Sequence, residues 1–126
     1  MNGLEKFRQA IGKKDPVAVL GGRTHWEVGG ELDEGTRLVS PPIGIDSFDP
    51  SEMTVSVNAG TKLKDLDQEL SQHGQEICLE GSIETTVGGA LMVGRDGIRR
   101  NRIGAVRGTL LQAEYVNAQG ELIKAG

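Results

Sequence analysis

A chain of 126 residues is the size of one domain with a modest hydrophobic core and is too short for most two-domain enzymes. A formal charge of −4 and a pI of about 5.2 give no overall pull toward nucleic acid or an anionic membrane surface, so polyanion binding is a poor first expectation. Glycine, at 19 residues, is used roughly twice as often as the average of about 7%, while aromatics make up only 3%, so the function rests on backbone more than on side chains.

Residues 1–14 mix Glu5, Lys6, Arg8, Lys13 and Lys14 with scattered apolar positions and lack the continuous apolar core of a signal peptide. No later stretch approaches the ~20 apolar residues of a membrane span. The lone Cys78 offers neither an intrachain disulfide nor metal-ligand spacing, which fits a reducing compartment and predicts a cytoplasmic protein without a metal site.

Leu4, Phe7, Ala10 and Ile11 recur at helical spacing with Gly12 after them, predicting an amphipathic helix over 3–12 that Asp15-Pro16 breaks. The apolar run Val17-Ala18-Val19-Leu20 predicts a strand buried on both faces, leading directly into the glycine-rich segment Gly21 to Gly30. A polar stretch from Glu31 leads to Leu38-Val39, and Pro41-Pro42 with the run Gly44 to Pro50 reads as turns. Met53 to Val57 alternates apolar and polar, the period of a half-buried strand. Thr61 is placed to cap a helix whose inner face is Leu63, Leu66 and Leu70, with Gly74 as its left-handed terminator.

Ile77-Cys78-Leu79 reads as a short strand ahead of a second glycine-rich region, Gly81 to Gly97. Leu110 to Asn117 and Glu121 to Lys124, joined by Ala118-Gln119-Gly120, predict a hairpin. Its second strand would leave an open sheet edge, so the polypeptide or its working complex is expected to continue beyond Gly126.

The segment Gly21-Gly22-Arg23-Thr24-His25-Trp26-Glu27-Val28-Gly29-Gly30 follows a strand and is bracketed by glycine pairs, so its main-chain N–H groups can converge on an anion such as a diphosphate; a glycine-rich surface turn is the plainer alternative. It fits neither Gly-x-Gly-x-x-Gly nor the Gly-Lys-Ser/Thr phosphate loop. In the second region, the small residues from Thr86 to Ala90 permit close approach to a flat ligand or, equally, tight loop packing. A helix forming after Gly88 would aim its N-terminus at phosphates. Arg95, Arg99, Arg100, Arg102 and Arg107 form a basic run that serves as a solvated face or as a contact for a partner or anionic substrate. His73 reads as a charge complement to a helix C-terminus, and His25 as a structural or cofactor-adjacent group. No catalytic dyad or triad can be assembled, which suits a protein whose cofactor carries the chemistry.

Several stretches together resemble one known superfamily. They are Val17 to Thr24, Asp49 to Thr61 leading into the Leu63/Leu66 helix, His73-Gly74-Gln75, Thr86-Val87-Gly88-Gly89-Ala90, and Gly104-Ala105-Val106-Arg107-Gly108 with Leu110-Leu111. The chain resembles the FAD-binding domain of the vanillyl-alcohol oxidase and p-cresol methylhydroxylase superfamily, most closely the FAD-binding subunits of glycolate oxidase.

The resemblance implies an α+β, two-subdomain fold of p-cresol methylhydroxylase type: a parallel-stranded α/β unit over 1–80 and the start of a mainly antiparallel unit over 81–126, C-terminally incomplete. It implies that FAD contacts Gly21, Gly22, Arg23, Thr24 and His25 around its pyrophosphate. Gly81, Ser82, Thr86, Val87, Gly88, Gly89, Gly94 and Gly97 would continue toward the isoalloxazine. Thr24 stands roughly where some relatives attach FAD to a histidine, so non-covalent FAD is expected. Gly108 replaces the acid that usually follows Arg107, removing its expected partner. The implied reaction is oxidation of a 2-hydroxy acid with hydride passing to flavin N5, through a substrate domain or partner subunits of a glycolate oxidase-like complex that this sequence does not contain, so the chain alone is expected neither to bind FAD tightly nor to turn over substrate. A non-catalytic phosphate-binding module, or a truncated domain acting through a partner, is the alternative.

Overall fold

The first element of the computed structural model, which describes Met1–Gly126, is helix α1 over Gly3–Ile11. The Asn2 side chain accepts a hydrogen bond from Glu5 N–H at its start, and Gly12 ends it with φ +67°. Strand β1, Val17–Val19, pairs in parallel with β2, Arg37–Val39. From β2 the Arg37 guanidinium donates to the carbonyls of Ala10 and Ile11 at 2.7 Å, satisfying acceptors that the end of α1 leaves open. The predicted strand is present but not buried on both faces: Val19 is 51% exposed, because it faces a cleft.

Strands β3, Ile45–Asp49, and β4, Thr54–Val57, form an antiparallel pair with an irregularity between Ile45 and Ser47. The segment read as turns is therefore mostly strand, with the reversal confined to Pro50–Met53. Helix α2, Leu63–Ser71, buries Leu63, Leu66 and Leu70 as predicted. Thr61 does not cap it; Lys62 takes that position, and the Thr61 hydroxyl instead donates to Gly44 O and accepts from Gly44 N–H. Gly74 has the expected left-handed φ of +67°. His73 lies two residues beyond α2, its ring edge-on to Phe48 at 5.2 Å. Ile77 to Leu79 joins no ladder; Ile77 N–H donates to the Asp67 carboxylate at 2.8 Å instead.

Helix α3, Val87–Val93, is followed by the short helix α4, Arg100–Ile103. The predicted hairpin is present as β5, Ala113–Val116, and β6, Leu122–Ala125, in antiparallel register. Its turn packs against α1: a β-carbon on Gly120 would lie 2.8 Å from Gly12 O, and Arg8 Nη1 donates to Gly120 O at 3.4 Å.

The core gathers Leu63, Leu66, Leu70, Leu79, Val87, Ala90 and Val106, with Ile45, Phe48, Val55 and Val57 packed on it. Thus α2, α3 and the β3–β4 pair share one apolar centre, which fixes α3 beside the loop after β1. The architecture is α+β, with parallel and antiparallel pairs. No helix is long and apolar enough to cross a membrane.

Candidate functional site

Leu20 N–H still donates to Val39 O at 2.9 Å, but beyond it the chain leaves the β1–β2 ladder. None of the main-chain N–H groups of residues 21–25 donates to a protein acceptor. They border an open cleft of about 390 Å³ between this loop and α3. Arg23 is held at φ +57°, a conformation an L residue adopts only at some cost in strain.

The two glycine-rich segments touch each other here. A β-carbon on Gly21 would stand 2.6 Å from Thr86 Oγ1, and one on Gly22 would overlap the carbonyl of Glu84. These glycines are therefore required by the close passage of the first segment over the second. Thr85, 1% exposed, is the joint between them: its Oγ1 lies 3.1 Å from Thr24 Oγ1 and accepts from Ser82 N–H at 2.9 Å. Thr85→Val keeps the shape but strands both partners; thermal unfolding is expected to show a loss of about 1–3 kcal/mol.

Of the residues singled out in the sequence, Gly21, Gly22, Arg23, Thr24, His25, Thr86 and Gly89 line the cleft together. Val87 and Gly88 lie behind it: Val87 is buried in the core, and a β-carbon on Gly88 would meet Ala59 at 2.8 Å. Gly81 and Ser82 pack on Thr85, Gly94 ends α3 with φ +63°, and Gly97 passes against the Glu80 side chain.

The start of α3 does not offer free donors. Val87 N–H goes to Thr61 O, Gly88 N–H to Ala59 O, Gly89 N–H to Thr86 Oγ1 and Ala90 N–H to Thr86 O. Helix formation begins at Val87 rather than after Gly88, and its first amides are spent inside the chain. Free donors come from the first loop.

Trp26 and Val28, inside the first glycine-rich segment, also line the cleft, as do Leu32, Met92 and Val93, which the sequence reading missed. Two signals pointed to them. Trp26 is the only tryptophan and sits inside the first glycine segment. Thr86, Gly89, Met92 and Val93 fall on one face at helical spacing.

The electrostatics favour an anion. Arg23 and His25 are the only ionisable lining residues, and no carboxylate faces the cleft. His25 Nδ1 lies 3.2 Å from Thr24 Oγ1. Nearby, hydrogen bonds from Lys62 and then Lys64 hold the Glu84 carboxyl below the usual carboxylate range, so its charge is neutralised locally. In the basic run, Arg99 pairs with Glu76 and Arg100 with Asp96, while Arg95, Arg102 and Arg107 are exposed without ion pairs. Free amides, one cation and an apolar wall of Val28, Leu32, Met92 and Val93 fit a ligand that joins a diphosphate to flat rings.

Residues 5–126 match the FAD binding domain family. The chain is 29% identical over 126 residues to glycolate oxidase subunit GlcE of Escherichia coli, covering 98% of this chain and 36% of that protein. It is 31% identical over 116 residues to D-lactate dehydrogenase of Archaeoglobus fulgidus, covering 90% of this chain and 26% of that protein. It therefore spans about a third or less of the length of these relatives.

Among solved structures, a variant of berberine bridge enzyme in complex with (S)-reticuline superimposes with a TM-score of 0.75 at 15% identity, over 95% of this chain and 26% of that one. Wild-type Phl p 4.0202, described as a glucose dehydrogenase, gives 0.73 at 18%, over 94% and 25%. These likenesses establish the fold. With nearly its whole length matched, the chain belongs to the FAD binding domain family and has the p-cresol methylhydroxylase-type fold expected from its motifs.

Proposed function

We propose that this chain cradles FAD, held non-covalently, in a flavin-dependent oxidoreductase acting on a 2-hydroxy acid such as glycolate or D-lactate. The observation that carries the reading is the cleft between the first loop and α3, where the unpartnered N–H groups of residues 21–25 meet an apolar wall. Bound FAD supplies the redox chemistry, accepting hydride at N5.

The chain's own residues bind and orient. The first-loop amides hold the diphosphate, the Thr24–Thr85 contact sets the loop's height over the second segment, and Met92 and Val93 exclude water from one side of the ligand. No acid–base pair lines the cleft, so substrate contacts come from a further domain or from partner subunits, in line with the relative that is itself a glycolate oxidase subunit. The non-covalent reading is supported by the hydroxyl of Thr24 at the expected linkage position and by His25 Nδ1 lying 3.2 Å from that hydroxyl. A cytoplasmic location and the division into units 1–80 and 81–126 belong to the same proposal.

The chain within its longer polypeptide or complex, incubated with FAD and desalted, is expected to remain yellow, and acid precipitation is expected to leave the colour in the supernatant. A colourless desalted protein overturns flavin binding, and colour in the pellet overturns non-covalent attachment. Bleaching of the flavin band by glycolate or D-lactate, in the protein together with its substrate-bearing part, tests the substrate class.

A further inference from the structure

The height of the first loop is set by the segment beneath it. Gly22 passes over the carbonyl of Glu84, Gly21 over the Thr86 hydroxyl, and Thr24 meets Thr85, so residues 84–86 are the floor on which that loop lies. Part of the floor is tied to the body of the protein: Leu63 N–H donates to Thr85 O and Val87 N–H to Thr61 O, both at 2.8 Å. The turn just ahead of it is not. The main-chain N–H and C=O groups of Ile83 and Glu84 make no hydrogen bond within the protein, and the Ile83 side chain is exposed. What fastens this turn is the Glu84 carboxylate, which accepts from Lys62 Nζ through one oxygen and from Lys64 Nζ, at 3.1 Å, through the other.

The two lysines stand where their sign of charge is unfavourable. Lys62 is the N-cap residue of α2 and Lys64 lies in its first turn, at the helix end whose dipole favours anions. Glu84 offsets both cations from outside the helix, across 22 and 20 residues of sequence.

We propose that Glu84, clamped by Lys62 and Lys64, is a positioning residue for the cleft: it ties the turn over 82–85 to the start of α2 and so fixes the height at which the first-loop amides meet a bound diphosphate. The inference rests on the flavin reading above for the ligand and on the geometry alone for the clamp. All three side chains are more than a third exposed, so each pair is weak and the effect is local. It is felt because the turn has no other polar tie.

A purely electrostatic role for the same residues predicts the opposite result. Glu84→Gln leaves two cations unneutralised near the cleft, which would draw a diphosphate in, whereas loss of a clamp weakens binding. The triple variant Lys62→Glu, Lys64→Glu, Glu84→Lys restores both pairs with their signs reversed and makes the same corner negative. The clamp therefore ranks FAD affinity as parent equal to triple variant and above Glu84→Gln; the field of the charges ranks Glu84→Gln first and the triple variant last.

The test measures FAD affinity by calorimetry and amide hydrogen exchange without FAD, on the chain within its longer polypeptide or complex. Glu84→Gln is expected to bind FAD about threefold more weakly and to exchange faster over residues 82–86 only, with Tm within about 2 °C of the parent. The triple variant is expected to return to within about twofold of the parent in both affinity and exchange rate. Equal or tighter FAD binding by Glu84→Gln, unchanged exchange over 82–86, or a folded triple variant that stays loose and weak each overturns the clamp while the flavin reading stands. If the unaltered protein takes up no FAD, the flavin reading falls, and exchange still decides the clamp: faster in Glu84→Gln supports it, equal rates overturn it.

Discussion

Gly22→Ala is expected to unfold at a clearly lower temperature than the parent chain and to lose at least tenfold in FAD affinity. The reason is local. The added methyl would overlap the carbonyl oxygen of Glu84 and stand 2.9 Å from its carbon, and backbone, unlike a flexible side-chain end, cannot swing aside. Relief requires the first loop to rise off the second segment, which stretches the Thr24–Thr85 contact and displaces the free amides of residues 21–25 together. Overpacking of this kind costs about 2 kcal/mol. Gly29 supplies the comparison, because a β-carbon there meets nothing within 4 Å. Gly29→Ala is expected to stay within about 0.5 kcal/mol of the parent by thermal unfolding. Equal behaviour of the two variants would show that the loops do not pass as closely as described.

Leu66→Ala is expected to give the largest loss of stability with the smallest direct effect on the cleft. Leu66 is fully buried at the centre of α2, where it meets α3 and the β3–β4 pair. Truncating a leucine in such a site costs about 3 kcal/mol, a large share of the ~5–15 kcal/mol that holds a domain folded. The chain buries only 13 of its 126 residues, so few other contacts can compensate. Urea unfolding should show the midpoint falling. FAD affinity at low temperature, where the variant remains folded, should change far less than in Gly22→Ala. A variant that kept its midpoint would place the core elsewhere.

Local periodicity made α1, α2 and the β5–β6 hairpin legible, since each carries its own stop signal in Gly12, Gly74 or Gly120. Strand β3 was hidden because Asp46, Ser47 and Asp49 are turn formers by composition, and the strand exposes them while Ile45 and Phe48 face inward. Thr61 occupied the position of a helix cap, yet a long-range contact with Gly44 claimed its hydroxyl. Ile77 to Leu79 had the apolar character of a strand but no neighbour to pair with.

The same division holds at the site. Both glycine segments could be read as backbone-rich ligand loops, and their order pointed to the family. That Gly22 is needed for Glu84, and Gly21 for Thr86, depends on two segments about 60 residues apart meeting, which no local pattern encodes.

The contact of the hairpin turn with α1 bears on how the protein is made. Arg8 and Gly12 meet Gly120, so α1 acquires this anchor only after the β5–β6 turn, 112 residues beyond Arg8, has left the ribosome. Until then α1, at 9 residues, is below the length at which an isolated helix persists in water, and it has only Arg37 to hold its end. Nascent chains that stall before residue 120 should therefore leave α1 open to proteases, and the emergence of Gly120 is the step that secures it.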